Sequence, residues 1–105
     1  MKYMIDYSFR AGGAHEENLG NAESLTRAFA KWKPEDGLNV LAFVSNLADT
    51  GGYVLVEAAD PKVVFSFVSK FVAWAEAEVV PVIDVGDAVP LGSAATAWAR
   101  SSSKA

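Results

Sequence analysis

The sequence predicts a single α+β domain whose elements follow the order β-α-β-β-α-β. Two observations lead to this fold class. Segments with apolar residues at every second position, typical of strands, are interspersed with segments that repeat apolar residues at every third and fourth position, typical of helices. The 105 residues leave room for one domain, and 51% of them are hydrophobic, which is enough to fill one core.

The first strand and the first helix follow from these two periodicities. Residues 1–9 alternate, with Tyr3, Ile5 and Tyr7 on one side and Asp6 on the other. After the loop 10–13, a helical stripe follows, made of Leu25, Ala28, Phe29 and Trp32. Asn21 fits the N-cap position, while Asn18 or the turn 15–17 would start the helix earlier, with Gly20 as a weak point.

The second half of the domain repeats strand and helix signals. Residues 40–45 and 53–57 are predicted strands that form a hairpin through the turn 48–52. Asp60-Pro61 combines an N-cap acid with proline at the first helical position, so we expect a helix over residues 60–75. Residues 78–85 are a fourth strand, and Pro81 places it near a sheet edge or a bulge.

This order predicts a ferredoxin-like domain over residues 1–85, with a four-stranded antiparallel sheet. Residues 86–105 form a C-terminal extension with a loop after Gly86, a short helix around residues 94–100 and a frayed tail from Ser101 to Ala105. In this topology both helices cover one face of the sheet, which leaves the other face open.

The open face is expected to be covered by a second copy of the chain. The predicted strands carry apolar residues on both sides, so a bare face would be a larger apolar patch than monomers usually expose. Twofold packing of sheet against sheet removes this patch and predicts a homodimer.

Composition excludes several classes of function. The net charge is −4 and the nine basic residues are scattered, which argues against nucleic-acid binding. The chain has no cysteine and only His15, so we expect no disulfide, no metal and no tightly bound cofactor. No apolar run approaches the ~18 residues of a membrane span, and no signal peptide is evident, so we expect a cytoplasmic protein without a membrane partner.

Three acids are the candidate catalytic residues. Asp6 lies in the middle of the first strand, where an acid is disfavoured unless it has a partner or a function. Enclosure between apolar sheets would raise its pKa and suit it to general acid–base work, and Glu57 or Glu78 could complete a carboxylate pair. Alternatively, the acids lie on solvated strand ends or pair with Lys2, Arg10 or Lys62.

The candidate ligand-binding residues are those whose strand parity points them between the sheets: Ser8, Phe43, Ser45, Tyr53, Leu55 and Val80. Neither serine has a histidine base in a recognisable motif, so nucleophilic hydrolysis is not expected. His15 is expected at a surface helix start, and Trp32 and Trp74 in the core. For Trp98 three alternatives remain open: it packs on its own domain, on a ligand or on a second copy of the chain.

Two classes of function remain open. The first is a cofactor-free isomerase, cyclase or oxygenase acting on a hydrophobic metabolite, with Asp6 moving protons. The second is a non-catalytic ligand-binding or protein-interaction module, in which the space between the two packed sheets is a binding site or is filled by side chains. A haem-degrading oxygenase is disfavoured by the single, poorly placed His15.

A family resemblance agrees with this fold. Two-sided apolar strands in βαββαβ order resemble the dimeric α/β-barrel superfamily, which includes muconolactone isomerases and cofactor-free antibiotic monooxygenases. More closely, residues 1–85 are similar to a family of short bacterial proteins of unknown function. Four segments carry this similarity: Met1–Met4, Ser8–Arg10, Gly51–Glu57 with Asp60-Pro61, and Glu78–Val82.

The resemblance implies a dimeric barrel, but this chain departs from the family pattern at one point. The second strand of that family often carries an Arg-Trp-His-type stretch, and Phe43-Val44-Ser45 stand there in this chain. Chemistry that depends on that histidine is therefore not implied for this protein.

Overall fold

The computed structural model describes residues 1–104 and contains four strands and three helices. In chain order these are β1 (Lys2–Phe9), α1 (His15–Lys31), β2 (Asn39–Ser45), β3 (Gly51–Glu57), α2 (Pro61–Lys70), β4 (Ala75–Val82) and α3 (Val85–Ser102). The strands form one sheet in the order β2-β3-β1-β4, and all three neighbouring pairs are antiparallel. The predicted ferredoxin-like α+β fold is confirmed.

The core lies on the face of the sheet that the first two helices cover. Ile5, Val54 and Val56 from the two central strands are almost fully buried, and Val64 and Phe67 of α2 pack against them. Alternation along each strand produces this face, since residues two apart point to the same side.

Helix α2 packs closely against the sheet, with Val64 and Phe67 buried, whereas α1 has no fully buried residue. The ring of Trp32, directly after α1, stacks on Phe67 of α2 with 4.8 Å between ring centroids. Along α1 itself, Leu25 and Ala28 are only half-buried, and Phe29 remains 46% exposed. The first helix therefore covers the sheet incompletely.

The start of α2 follows the sequence prediction. The Asp60 carboxylate accepts a hydrogen bond from the Lys62 amide at 2.9 Å, and Pro61 occupies the first helical position. The helix ends at Lys70 rather than near residue 75, because Phe71–Trp74 form turns that lead directly into β4. The fourth strand consequently runs from Ala75 to Val82 instead of over residues 78–85.

The second strand contains an irregularity that the sequence did not reveal. Val40 pairs with Val56, but Ala42 pairs with Leu55, so the register shifts at Leu41. Beyond this bulge the alternation is inverted, as one extra residue turns every later side chain to the other face. Phe43 and Ser45 therefore lie on the helix-covered face, and the prediction that they point to the open face is wrong.

The C-terminal segment also differs from prediction. Residues after Gly86 form no loop, since α3 begins at Val85 and continues for 18 residues through Pro90 and Gly92. The alanine-rich sequence beyond Pro90 favours a helix. Ser101 and Ser102 are helical instead of frayed, and Ala105, the end of the predicted tail, lies outside the described residues.

This third helix extends away from the rest of the molecule. Its residues are exposed except for the half-buried Ala88. The radius of gyration is 18.9 Å and the longest dimension 67 Å, whereas a compact chain of this length has a radius of gyration of roughly 13 Å.

Candidate functional site

A cavity of about 470 Å³ lies between the sheet and the two helices that cover it. Its lining comes from β1, α1, β2, β3, α2 and β4, and consists of Ile5, Tyr7, Phe9, Leu25, Thr26, Phe29, Phe43, Val44, Ser45, Val54, Phe67, Val68, Phe71, Ala75 and Ala77. Twelve of these fifteen residues have purely hydrocarbon side chains. The cavity is therefore an apolar site inside one chain.

The local sequence explains why space remains here. Ala75 and Ala77 place only methyl groups on the fourth strand, at the edge of the sheet. The wall opposite is aromatic: Phe43 makes edge contacts with Phe29 and Phe67, with ring centroids 5.4 and 6.3 Å apart. The cavity remains because the alanines of β4 are small and because the rings of Phe29 and Phe43 are only partly buried, so that they do not fill the space.

Three hydroxyl groups provide the side-chain polarity of this cavity. The Tyr7 hydroxyl donates to the Val44 carbonyl at 3.2 Å, and the Thr26 hydroxyl donates to the Ala22 carbonyl at 2.9 Å. Both oxygens can still accept a hydrogen bond. Ser45 makes no side-chain hydrogen bond within residues 1–104, so its hydroxyl can donate to a bound molecule.

A second hollow of about 560 Å³ adjoins the cavity and shares Phe9, Leu25 and Thr26 with it. Its lining is more polar and includes Arg10, Asn18, Asn21 and Asp49. The Arg10 guanidinium is already engaged, since it donates to the Val72 carbonyl at 2.9 Å and to Glu76 at 3.0 Å.

The three predicted catalytic acids lie on the opposite side of the sheet from the cavity. Asp6 is paired with Glu78 across β1 and β4, and both side chains are exposed on the open face. Glu57 pairs with Lys2, roughly 13 Å along β1 from Asp6. The fold thus brings Asp6 and Glu78 together, but none of the three acids lines the cavity.

The six predicted ligand-binding residues divide between the two faces. Ser8, Tyr53, Leu55 and Val80 share the open face with Asp6, as the strand register requires. Phe43 and Ser45 line the helix-side cavity because of the bulge at Leu41. The structure therefore does not bring the six together at one site.

Other lining residues were missed because their pattern also fits a filled core. Leu25, Phe29, Phe67 and Phe71 belong to the apolar helix stripes, and periodicity does not distinguish a packed stripe from one that borders a hollow. Thr26, next to this stripe, was the available signal of a polar group at the edge of the site.

The histidine and the three tryptophans considered in the sequence analysis do not line the cavity of about 470 Å³. His15 is the first residue of α1 and is exposed. Trp32 and Trp74 are half-buried, and the Trp74 indole donates to the Ser24 hydroxyl at 2.9 Å. Trp98 is 72% exposed on α3.

One ion pair ties α3 to the sheet. The Lys2 ammonium donates to the Asp84 carboxylate at 2.7 Å, next to the helix start. This hydrogen bond, with the nearby charges of Asp84, Glu57 and Asp87, raises the pKa of Lys2 above its ordinary value of 10.5. Lys2 therefore keeps its charge at neutral pH, and the stability that this raised pKa contributes is lost as Lys2 deprotonates in strongly alkaline solution.

Residues 1–104 also lack two further kinds of feature, a metal-binding cluster and a membrane-spanning helix. That part of the chain holds no cluster of three or more His, Cys, Asp or Glu side chains that could bind a metal ion. Nor does it contain a helix with the length and hydrophobicity needed to cross a membrane.

Comparison with known proteins gives a family but no activity. Residues 1–96 match the family model described as a domain of unknown function (DUF3303). No curated protein of similar sequence was found. The match spans the whole ferredoxin-like sheet, its covering helices and most of α3, and the chain therefore belongs to this family of proteins of unknown function.

Proposed function

We propose that the protein binds a small hydrophobic molecule in the cavity between the sheet and helices α1 and α2. The observation that carries this proposal is the apolar lining of a hollow of about 470 Å³. Ligand sites typically have volumes of roughly 300–1,000 Å³ and apolar walls with a few polar groups. This cavity has both properties.

The polar groups favour a ligand with one polar end. The Ser45 hydroxyl is available as a donor, and the Tyr7 oxygen, which already donates to Val44, is available as an acceptor. A hydroxyl group on an otherwise hydrocarbon molecule satisfies this pair, since it can accept from Ser45 and donate to Tyr7, whereas a carbonyl group can only accept from Ser45. A carboxylate is less suitable, since no cation lines the cavity.

The arrangement supports binding rather than turnover. Acid–base chemistry of the isomerase or cyclase type most often uses a carboxylic acid or a histidine beside the substrate, and the cavity lining holds neither. The phenol of Tyr7 also lines the cavity, but it already donates its proton to the Val44 carbonyl. Asp6 and Glu78 would reach a substrate only on the open face. A non-catalytic binding protein is therefore the function that the geometry favours.

The test is a titration with N-phenyl-1-naphthylamine, a neutral probe that fluoresces in apolar surroundings. Ala77→Phe fills the floor of the cavity and is expected to lower probe affinity at least tenfold. Glu78→Phe adds a ring at the next residue, on the other face, and serves as the matched control with unchanged affinity. Equal binding by the Ala77→Phe variant and the native protein would refute the proposal.

We further propose that the protein acts as a homodimer whose contact covers the open face of the sheet. Ala42, Leu55, Met4 and Val80 form one apolar row across all four strands of this face. Val44 and Tyr53 extend it and are about half exposed. Sedimentation velocity at micromolar concentration is expected to give the mass of two chains, and a single-chain mass would overturn this proposal.

A further inference from the structure

We propose that α3 of one copy lies across the open sheet face of a second copy, and that two such exchanged helices hold the homodimer together. This inference rests on the homodimer proposed above and names the element that covers the face. It differs from direct packing of sheet on sheet, in which the two open faces touch each other.

The exposure of α3 is the first argument. Helices in proteins gain most of their stability from the packing of an apolar face rather than from helix propensity. Within its own chain this helix buries none of its residues. Val85, Leu91 and Trp98 are 76%, 65% and 72% exposed, so its large apolar side chains lack a packing surface in the single chain.

The dimensions of the two surfaces agree. Eighteen helical residues span roughly 27 Å. The strands of eight residues that cross the open face span roughly 26 Å. The apolar row Ala42–Leu55–Met4–Val80 crosses the strands, so a helix that lies along them covers its centre, Met4 and Leu55 on the two central strands, and has Ala42 and Val80 at its flanks.

One charge of α3 complements the acids of the open face, while Asp87 lies at the other end of the helix. The open face carries Asp6 and Glu78 side by side, and neither forms an ion pair in the part of the chain that the structure describes. Arg100, in the last turn of α3, is likewise unpaired within residues 1–104. Docking of α3 from a second copy supplies a cation to an acidic pair.

The contact area lies at the lower end of the range for specific protein interfaces. A helix about 27 Å long and about 10 Å wide covers roughly 270 Å² of a sheet. Counted on helix and sheet, and for both exchanged helices, this amounts to roughly 1,100 Å², which clears the lower limit of about 1,000 Å² for a specific interface.

Two charged substitutions in the full chain separate this arrangement from its alternatives. Val80→Lys places a charge in the apolar row of the open face, and Trp98→Glu places one on α3. Each variant alone is expected to raise the dimer dissociation constant at least tenfold in sedimentation experiments. Ala97→Glu is the matched control, since residue 97 is turned by about 100° from Trp98 around the helix, and its dimer should be unchanged.

A mixture of the two variants gives the decisive result. In a mixed dimer the native α3 of the Val80→Lys chain meets the native face of the Trp98→Glu chain, and the other contact brings glutamate to lysine. The equimolar mixture is therefore expected to form dimers although neither variant does so alone. Circular dichroism of each variant verifies that both still fold.

Other outcomes reject the exchange and identify what replaces it. If only Val80→Lys dissociates the dimer, the two sheets touch directly and the homodimer stands without exchanged helices. If only Trp98→Glu dissociates it, the contact joins two copies of α3. If the native chain is monomeric, the proposed homodimer itself is wrong. If neither variant dissociates the dimer, or if the mixture stays monomeric, the exchange is equally rejected.

Discussion

Ser45 is the residue that gives the cavity a directed polar group. It lies at the end of β2, next to Phe43 on the same face, and its hydroxyl has no partner within residues 1–104. Tyr7 and Thr26, by contrast, already donate their protons to backbone carbonyls. In the proposed function, Ser45 is therefore the main determinant of specificity for a polar end group.

Ser45→Ala should reduce this specificity without removing binding. We expect the affinity for 1-decanol, measured by displacement of the fluorescent probe, to fall roughly fivefold, since one hydrogen bond contributes about 1 kcal/mol. Decane, which has no polar end, should displace the probe equally from both proteins. Equal losses for both molecules would mean that Ser45 shapes the cavity but does not bind the polar group.

Asp60 acts at a single helix end. Its carboxylate accepts a hydrogen bond from the Lys62 amide, one of the first-turn amides of α2 that have no carbonyl partner within the helix. Asp60→Ala is expected to lower the free energy of unfolding by about 1 kcal/mol. A urea unfolding curve with an unchanged midpoint would show that this cap does not contribute.

Among the elements, β2 shows what the sequence could and could not predict. The strand itself was predicted from its β-branched and apolar residues, and so was its hairpin with β3. The bulge at Leu41 was not, because no glycine or proline marks it. Since a single extra residue inverts the alternation, Phe43 and Ser45 were assigned to the wrong face although they were chosen as binding residues.

The length of the third helix was underestimated for a different reason. Gly86, Pro90 and Gly92 are ordinary signs of a loop, yet all three lie within α3. A proline in the interior of a helix destabilises that helix by about 3 kcal/mol or more. A sequence with an internal proline is therefore normally predicted to end its helix there. The residues that follow it are strong helix formers, and the helix runs on to Ser102.

Gly52 of β3 has a packing reason to be glycine. A Cβ atom at this position would lie 2.6 Å from the Tyr7 hydroxyl and closer still to the Val44 carbonyl. Gly52→Ala is therefore expected to lower the free energy of unfolding by roughly 1–3 kcal/mol, as overpacking does.

Gly20→Ala is the matched control for this substitution. It lies within α1 with no atom within 4 Å of the added methyl group, and it should raise stability by up to about 1 kcal/mol. Chemical denaturation of both variants measures the difference. A stable Gly52→Ala variant would contradict the close packing of β1, β2 and β3 at this point.

For the whole molecule, the two faces of the sheet have different roles in this account. The helix-covered face carries the core and the apolar cavity, and the open face carries an apolar row beside an acidic pair. From the sequence, both faces of the sheet were predicted to be apolar, and the ligand was predicted to bind on the open face. The structure favours the helix-covered face, because the bulge and the small residues of β4 create space there.

The most direct test of this account is to map where an apolar ligand binds. In an amide-resolved NMR titration with 1-decanol, we expect the largest shifts at Phe43, Ser45, Val54 and Phe71, which surround the cavity. Amides of α3 and of the β4 end at Val82 should change little. Shifts confined to Asp6, Tyr53, Leu55 and Val80 on the open face, with the cavity residues unmoved, would contradict the proposed function.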